Sequence, residues 1–248
     1  MGRVVAIASG KGGSGKSVVT ANLGIGLSRF GKNVLMIDSD ISMPNLDIFV
    51  GLKDAPITLH DILSKRKPVD KAIYQVFRGV NLIPCSRLLD AFFRANIRGL
   101  KGIITKVRDK YDYVLIDTPS GLNKYNLATI RYADEVLWVV NPDEASIVDT
   151  IRLKSAVELF HVRTLGMVVN RVPSFSWSER RKLPKIRKTD LEMRLGCKIL
   201  GIIPEDKEVY KAAILQMPYL KYKKSGKVVN AFKELCRTIL KSETLQQV

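Results

Sequence analysis

The chain predicts an α/β fold, a mostly parallel, twisted β-sheet covered by helices on both faces. Three features predict it. Short apolar runs alternate with helix-length segments, the β-α-β rhythm of parallel sheets. Several runs, such as Glu135-Val136-Leu137-Trp138-Val139-Val140, are nearly all apolar, as strands covered on both faces must be. A glycine-rich loop, Gly10-Lys11-Gly12-Gly13-Ser14-Gly15-Lys16-Ser17, joins the first run to the first helical segment. With 248 residues and no repeat or low-complexity linker, one domain over 1–248 is expected.

The elements follow in order. Val4-Val5-Ala6-Ile7-Ala8 predicts a strand over 3–8, and the segment after the loop predicts a helix over 16–30. Val34-Leu35-Met36-Ile37 predicts a strand over 33–38, and Thr58 to Leu63 reads as the start of an amphipathic helix. A strand over 79–84 precedes a helix over 92–110, whose Phe92 and Phe93 are expected to pack in the core. Tyr113-Val114-Leu115-Ile116 gives a strand over 112–117, followed by a helix over 122–131. Strands over 134–140, 164–169 and 198–203 then alternate with helices over 144–160, 188–195 and 226–241, leaving 242–248 as a short tail. In such sheets ligands bind beyond the carboxyl ends of strands. The glycine-rich loop, Asp40 and Asp117 all fall there.

The loop spells G-x-x-x-x-G-K-[ST], the phosphate-binding loop of P-loop NTPases, with the strand before it and the helix after it that the motif requires. Residues Gly10, Lys11, Gly12, Gly13, Ser14, Gly15, Lys16 and Ser17 are therefore candidate nucleotide-binding residues. Glycines let backbone N–H groups turn toward an anionic phosphate, and the helix N-terminus adds partial positive charge. Lys16 is expected to reach the β- and γ-phosphates, and the Ser17 hydroxyl to hold Mg²⁺. Asp117, ending an apolar strand, reads as a carboxylate that holds Mg²⁺ through water. The cofactors expected are ATP or ADP with Mg²⁺. Asp38 has an open alternative as a strand-end turn or helix cap.

A second lysine sits inside the loop. Lys11-Gly12-Gly13 followed by Gly15-Lys16-Ser17 resembles the MinD/ParA family of deviant Walker A ATPases, its MinD branch most. Four further segments extend the resemblance along nearly the whole chain: Val34 to Asp40 with Asn45-Leu46-Asp47, Tyr113 to Leu122, Val168 to Arg171, and Ile202 to Asp206. The resemblance implies an ATP-dependent homodimer in which Lys11 touches the partner subunit's nucleotide. It implies slow, Mg²⁺-dependent ATP hydrolysis stimulated by a protein activator as yet unidentified, with Lys11, Lys16 and Asp40 catalytic. Asp40 would help position the attacking water, and Asp38 would join Ser17 and Asp117 in the metal shell. Asn170 would hydrogen-bond adenine, Arg171 would pack beside it, and Pro204, Glu205 and Asp206 would close the pocket. Asn45 is a candidate contact across the dimer. The function implied is spatial positioning or recruitment, as in division or motility machinery.

Composition narrows the setting. No apolar stretch reaches membrane-spanning length, and the apolar run at 4–8 is too short for a signal peptide. Cys85, Cys197 and Cys236 are widely spaced and form no C-x-x-C, so a disulfide framework or zinc ribbon is not expected and the setting reads as cytoplasmic. His60 and His161 lack neighbours at metal-ligand spacing.

The formal charge of +17 is uneven, +6 over residues 61–120 and +9 over 181–248. Such a field favours polyanions such as DNA or an anionic membrane, although a merely solvated surface has the same composition. The candidate contact regions are 221–241 and the loop 171–188, where Phe175 and Trp177 interleave with basic residues. Those aromatics equally suit the anchoring of a long surface loop. A peripheral position at membrane or nucleoid follows from the first reading.

Three departures qualify the resemblance. The residues after Lys241 are too few and too weakly amphipathic for a membrane-targeting helix, Ser120 stands where the family usually has alanine, and the charge exceeds what MinD leads one to expect. A ParA-like ATPase whose ATP dimer binds DNA nonspecifically is the alternative. An iron–sulfur scaffold ATPase would need paired cysteines, and a nucleotide-binding module without hydrolysis is countered by Asp40 and Asp117.

Overall fold

A computed structural model describes residues 1–88, 96–173 and 187–244. Eight strands form one sheet: β1 (Arg3–Ala8), β2 (Val34–Asp38), β3 (Tyr74–Phe77), β4 (Val80–Ile83), β5 (Tyr113–Asp117), β6 (Glu135–Val140), β7 (Arg163–Val172) and β8 (Ile199–Pro204). Their order is β3-β4-β2-β5-β1-β6-β7-β8. Every pairing is parallel except β3 with β4. Asp38 and Asp117 are register partners on adjacent strands, so the pairing of β2 with β5 itself sets the two carboxylates side by side.

Ten α-helices are described: α1 (Lys16–Arg29), α2 (Leu46–Val50), α3 (Leu59–Leu63), α4 (Leu100–Val107), α5 (Lys124–Ile130), α6 (Glu144–Glu158), α7 (Lys188–Leu195), α8 (Lys207–Ile214), α9 (Tyr219–Tyr222) and α10 (Lys227–Thr244). Strand periodicity sorts the core into two layers. Val4, Ala6 and Ala8 of β1 face a cluster covered by α3 to α7, while Val5 and Ile7 face one covered by α1, α2 and α8 to α10. All residues of β2, β5 and β6 are buried. Each large apolar side chain removed from water contributes about 1.5–3 kcal/mol, so this two-sided burial is what holds the sheet edge rigid beneath its loops.

The predicted strands all form, but the sheet has eight rather than seven. Strand β3 is a short, half-buried edge strand antiparallel to β4, and its four residues offer too little alternation to show in the sequence. The helix expected over 92–110 is corrected where it is described. Asn96 is extended and its side chain accepts the Arg98 N–H, a 3-10 turn covers Ile97–Gly99, and α4 begins only at Leu100. Residues 89–95, with Phe92 and Phe93, lie outside the described residues, as do 174–186 of the basic loop and 245–248 of the tail. Residues 242–244, expected in the tail, instead continue α10.

Candidate nucleotide site

Loops leaving the carboxyl ends of the neighbouring strands β2, β5 and β1 converge on a cavity of about 440 Å³. Gly12, Gly13, Gly15, Lys16 and Ser17 form one wall, and Asp40, Asn45, Asp117 and Ser120 face them. Gly13 and Gly15 have φ of +74° and +89°, left-handed values that a side chain resists. Gly15 is the N-cap of α1, and no side chain caps that helix. Its first amides are therefore left for an anion, which is how a phosphate loop works.

The charge inside is unbalanced. Lys16 is buried, and its ammonium donates to the Ser120 hydroxyl. Burial lowers the Lys16 pKa, against the pull of Asp117, Asp40 and Asp38. Asp117 is fully enclosed, accepts a hydrogen bond from Thr20 Oγ1 at 3.2 Å, and is pushed up to about 6 by burial despite Lys16. Asp38 is held well above the usual carboxylate range by burial and by Asp117. Two buried carboxylates beside one lysine are short of positive charge.

A divalent cation would relieve this pair. Mg²⁺ commonly takes one or two carboxylates and keeps several waters, a need the Ser17–Asp117 side of the cavity fits. Among the described residues there is no cluster of three or more His, Cys, Asp or Glu that could enclose a metal by itself. Asp38 does not line the cavity. Its oxygens accept the N–H groups of Asp40 (3.1 Å), Asn45 (3.2 Å) and Leu46 (3.1 Å), so it braces the loop that carries Asp40 and starts α2. Asp40 in turn accepts from Ser42 and Met43 and stays partly exposed.

A second cavity of about 640 Å³ adjoins the first through Gly15, Val18, Phe49 and Arg171. Asn170, Arg171, Pro204, Glu205 and Asp206 line it, the five residues expected on the base side. Asn170 donates to the Ser14 carbonyl at 2.8 Å and so ties β7 to the phosphate loop. Arg171 sits between the two cavities at φ +54°, where the pairing of β7 with β8 slips register. Asp206 caps α8 by accepting the Glu208 N–H.

Gly10, Lys11 and Ser14 do not reach the phosphate cavity wall. The Gly10 backbone packs against α6, where a Cβ would stand 2.1 Å from the Asp149 carbonyl carbon. Lys11 turns outward, and its Nζ lies 3.1 Å from Asp143 Oδ1 on the same chain, both side chains substantially exposed. Three residues escaped the sequence reading: Thr20 on Asp117, Ser120 as the partner of Lys16, and Asn123, which caps α5 and donates to the Ser120 carbonyl. Only Asn123 left a signal, an asparagine directly before a helical segment.

A phosphate loop at the carboxyl edge of a largely parallel sheet, with two buried carboxylates behind it, defines a P-loop NTPase. Comparison with known proteins agrees. Residues 1–240 match the family model described as ParA: NUBPL iron-transfer P-loop NTPase. The crystal structure of the Pyrococcus furiosus cell division ATPase MinD is 34% identical, with a TM-score of 0.89 over 97% of this chain and 99% of that one. The septum site-determining protein MinD of Pyrococcus horikoshii, complexed with Mg-ADP, is 33% identical, with a TM-score of 0.87 over 95% of each chain. A MinC:MinD cell division protein complex from Aquifex aeolicus matches at 30% identity and a TM-score of 0.84 over 96% of each chain. The chain belongs to the MinD/ParA family of P-loop NTPases.

Proposed function

We propose that this chain is a MinD-like ATPase that uses ATP binding to dimerise and hydrolysis to release, and so places a partner in the cell. The observation that carries the reading is Lys11. A lysine inside a phosphate loop that lines no part of its own phosphate cavity, and is held outward by an exposed ion pair, is positioned for another subunit's nucleotide. Exposed ion pairs are weak, worth about 0–1 kcal/mol, so leaving Asp143 costs Lys11 little.

In this reading the chain's residues divide the work. Lys16 and the α1 amides offset charge on the transferred phosphoryl group. Ser17 and Asp117 would hold Mg²⁺, which supplies further charge neutralisation when bound, and Asp38 would keep the Asp40 loop in place. Asp40 orients the water that attacks. Asn170, Arg171 and residues 204–206 form the base side. The similarity to a MinD captured with Mg-ADP supports the ligand, and the similarity to a MinC:MinD complex supports a protein partner.

Lys16→Ala should abolish nucleotide binding, whereas Lys11→Ala should bind ATP with normal affinity and lose both dimerisation and turnover. Normal ATP-dependent dimerisation of Lys11→Ala would sink the proposal.

A second reading, in which the ATP dimer tethers to DNA, has one specific support. The outer face of α10 presents Lys227, Lys233, Arg237 and Lys241 to solvent while Val228, Val229, Phe232 and Leu235 are buried. Iron transfer, which the family model's description includes, has no such support: the three cysteines are unpaired, with Cys85 and Cys236 buried.

A further inference from the structure

Helix α8 follows β8 at the carboxyl edge of the sheet, and Val209, Tyr210 and Ala213 line the base cavity. Its inner side is narrow. Ala212 is buried in the core, with Val209 packed half-buried beside it.

The outward side is apolar where a solvent-facing helix surface is ordinarily polar. Tyr210 is 72% exposed, Ile214 63%, and Leu215, directly after the helix, 56%. Tyr210 and Ile214 are four residues apart and so stand together on one face, which Leu215 continues at the helix end. The other large apolar side chains exposed among the described residues are scattered singly along the chain, which needs no explanation, whereas a cluster of three marks a contact surface.

The charges nearby select the partner. Glu208 is engaged by Lys211 at 2.6 Å and Lys223 at 3.1 Å, and Asp206 caps the helix. Against the exposed Glu205, the exposed Lys207, Lys221 and Lys224 make no ion pair among the described residues. A second copy of the chain would bring these lysines, and a net charge of +17, against its own like. Through Tyr210 the face runs into the concave base cavity rather than onto a flat surface, which suits a shaped protein better than a bilayer.

We propose that the outer face of α8 is the docking site of an acidic protein partner. The partner packs apolar side chains against Tyr210, Ile214 and Leu215 and sets carboxylates against Lys207, Lys221 and Lys224. This gives a chemistry to the partner of the proposed switch and rests on that reading only for the partner's role, because the docking face itself is complete without nucleotide.

A library of random peptides displayed on phage, selected on the wild-type chain and depleted on Ile214→Ser with Leu215→Ser, tests the site. Both positions are exposed, so this variant should keep the wild-type Tm. The expected peptides carry an apolar residue among Asp and Glu. A synthetic copy should bind wild type saturably by fluorescence anisotropy and the serine variant about tenfold more weakly. Lys221→Glu with Lys224→Glu should weaken it as well. Lys16→Ala should bind the peptide as wild type does, so a failure of the nucleotide reading and a failure of the docking site are told apart. If no selected peptide is sensitive to the serine pair, or if binding ignores the lysine changes, the proposal is overturned. Phosphatidylglycerol vesicles that bind wild type and not the serine variant, with no peptide selected, would overturn it in favour of a lipid surface.

Discussion

Asp117 and Lys16 hold opposite charges in nearly dry surroundings, and their balance should be visible in solution. Burial pushes the Asp117 carboxyl up to about 6 in the folded chain, against about 3.9 when unfolded. Between those values the folded state binds more protons, so its stability falls as pH rises through the window. The nucleotide-free protein should therefore lose stability as pH rises from about 4 to about 6 through this residue and its neighbour Asp38, which burial and Asp117 also raise. Urea unfolding of wild type and Asp117→Asn across that range isolates the effect, because the substitution should flatten the slope.

Ser120 supplies a second test at this scale. Its hydroxyl competes with phosphate for Lys16, so Ser120→Ala should tighten nucleotide binding by about fivefold, the worth of one hydrogen bond. Unchanged or weaker binding by calorimetry would show that the contact does not restrain Lys16. Of these residues, Lys16, Ser17 and Asp117 were legible because the phosphate loop and the strand end are local patterns. The Lys16–Ser120 and Thr20–Asp117 contacts were not, since they join residues 104 and 97 apart that only the folded sheet brings together.

At the scale of elements, the site depends on how tightly helices sit on the sheet. A Cβ on Gly26 would stand 2.5 Å from Cys236 Sγ, so α1 and α10 touch at that glycine. Gly26→Val should destabilise the fold by about 1–3 kcal/mol through overpacking, a loss read as a lowered Tm. Asn123 accepts the Tyr125 and Asn126 N–H groups at the start of α5. Asn123→Ala should cost about 1 kcal/mol, and wild-type stability in that variant would show the cap to be idle. The long elements were predicted because burial imposes its period over many residues. Strand β3 and the short helices α2 and α9, of four or five residues each, were missed because they hold about one turn or one alternation and owe their shape to neighbours, and the eight-residue α8 was missed as well. The expected continuity of the helix through residues 96–99 failed for a related reason, since Asn96 turns the chain locally before α4 begins.

Charge is a property of the whole molecule, and it separates the two readings of function. A net +17 with an exposed basic face on α10 predicts that any DNA binding weakens steeply with salt. If DNA is the target, binding to short random duplex should appear with ATP and not with ADP. No helix among the described residues is long and apolar enough to cross a membrane. Charge was readable from composition, but its target was not, because lysine on a helix face suits DNA, lipid or an acidic protein alike.

The switch itself is tested most directly by size-exclusion chromatography with light scattering on Asp40→Ala, which is expected to bind ATP without hydrolysing it. A dimer with ATP, a monomer with ADP, and a monomer in both when Lys11→Ala is added are the predicted results. A monomer with ATP, or a dimer indifferent to nucleotide, would contradict the account.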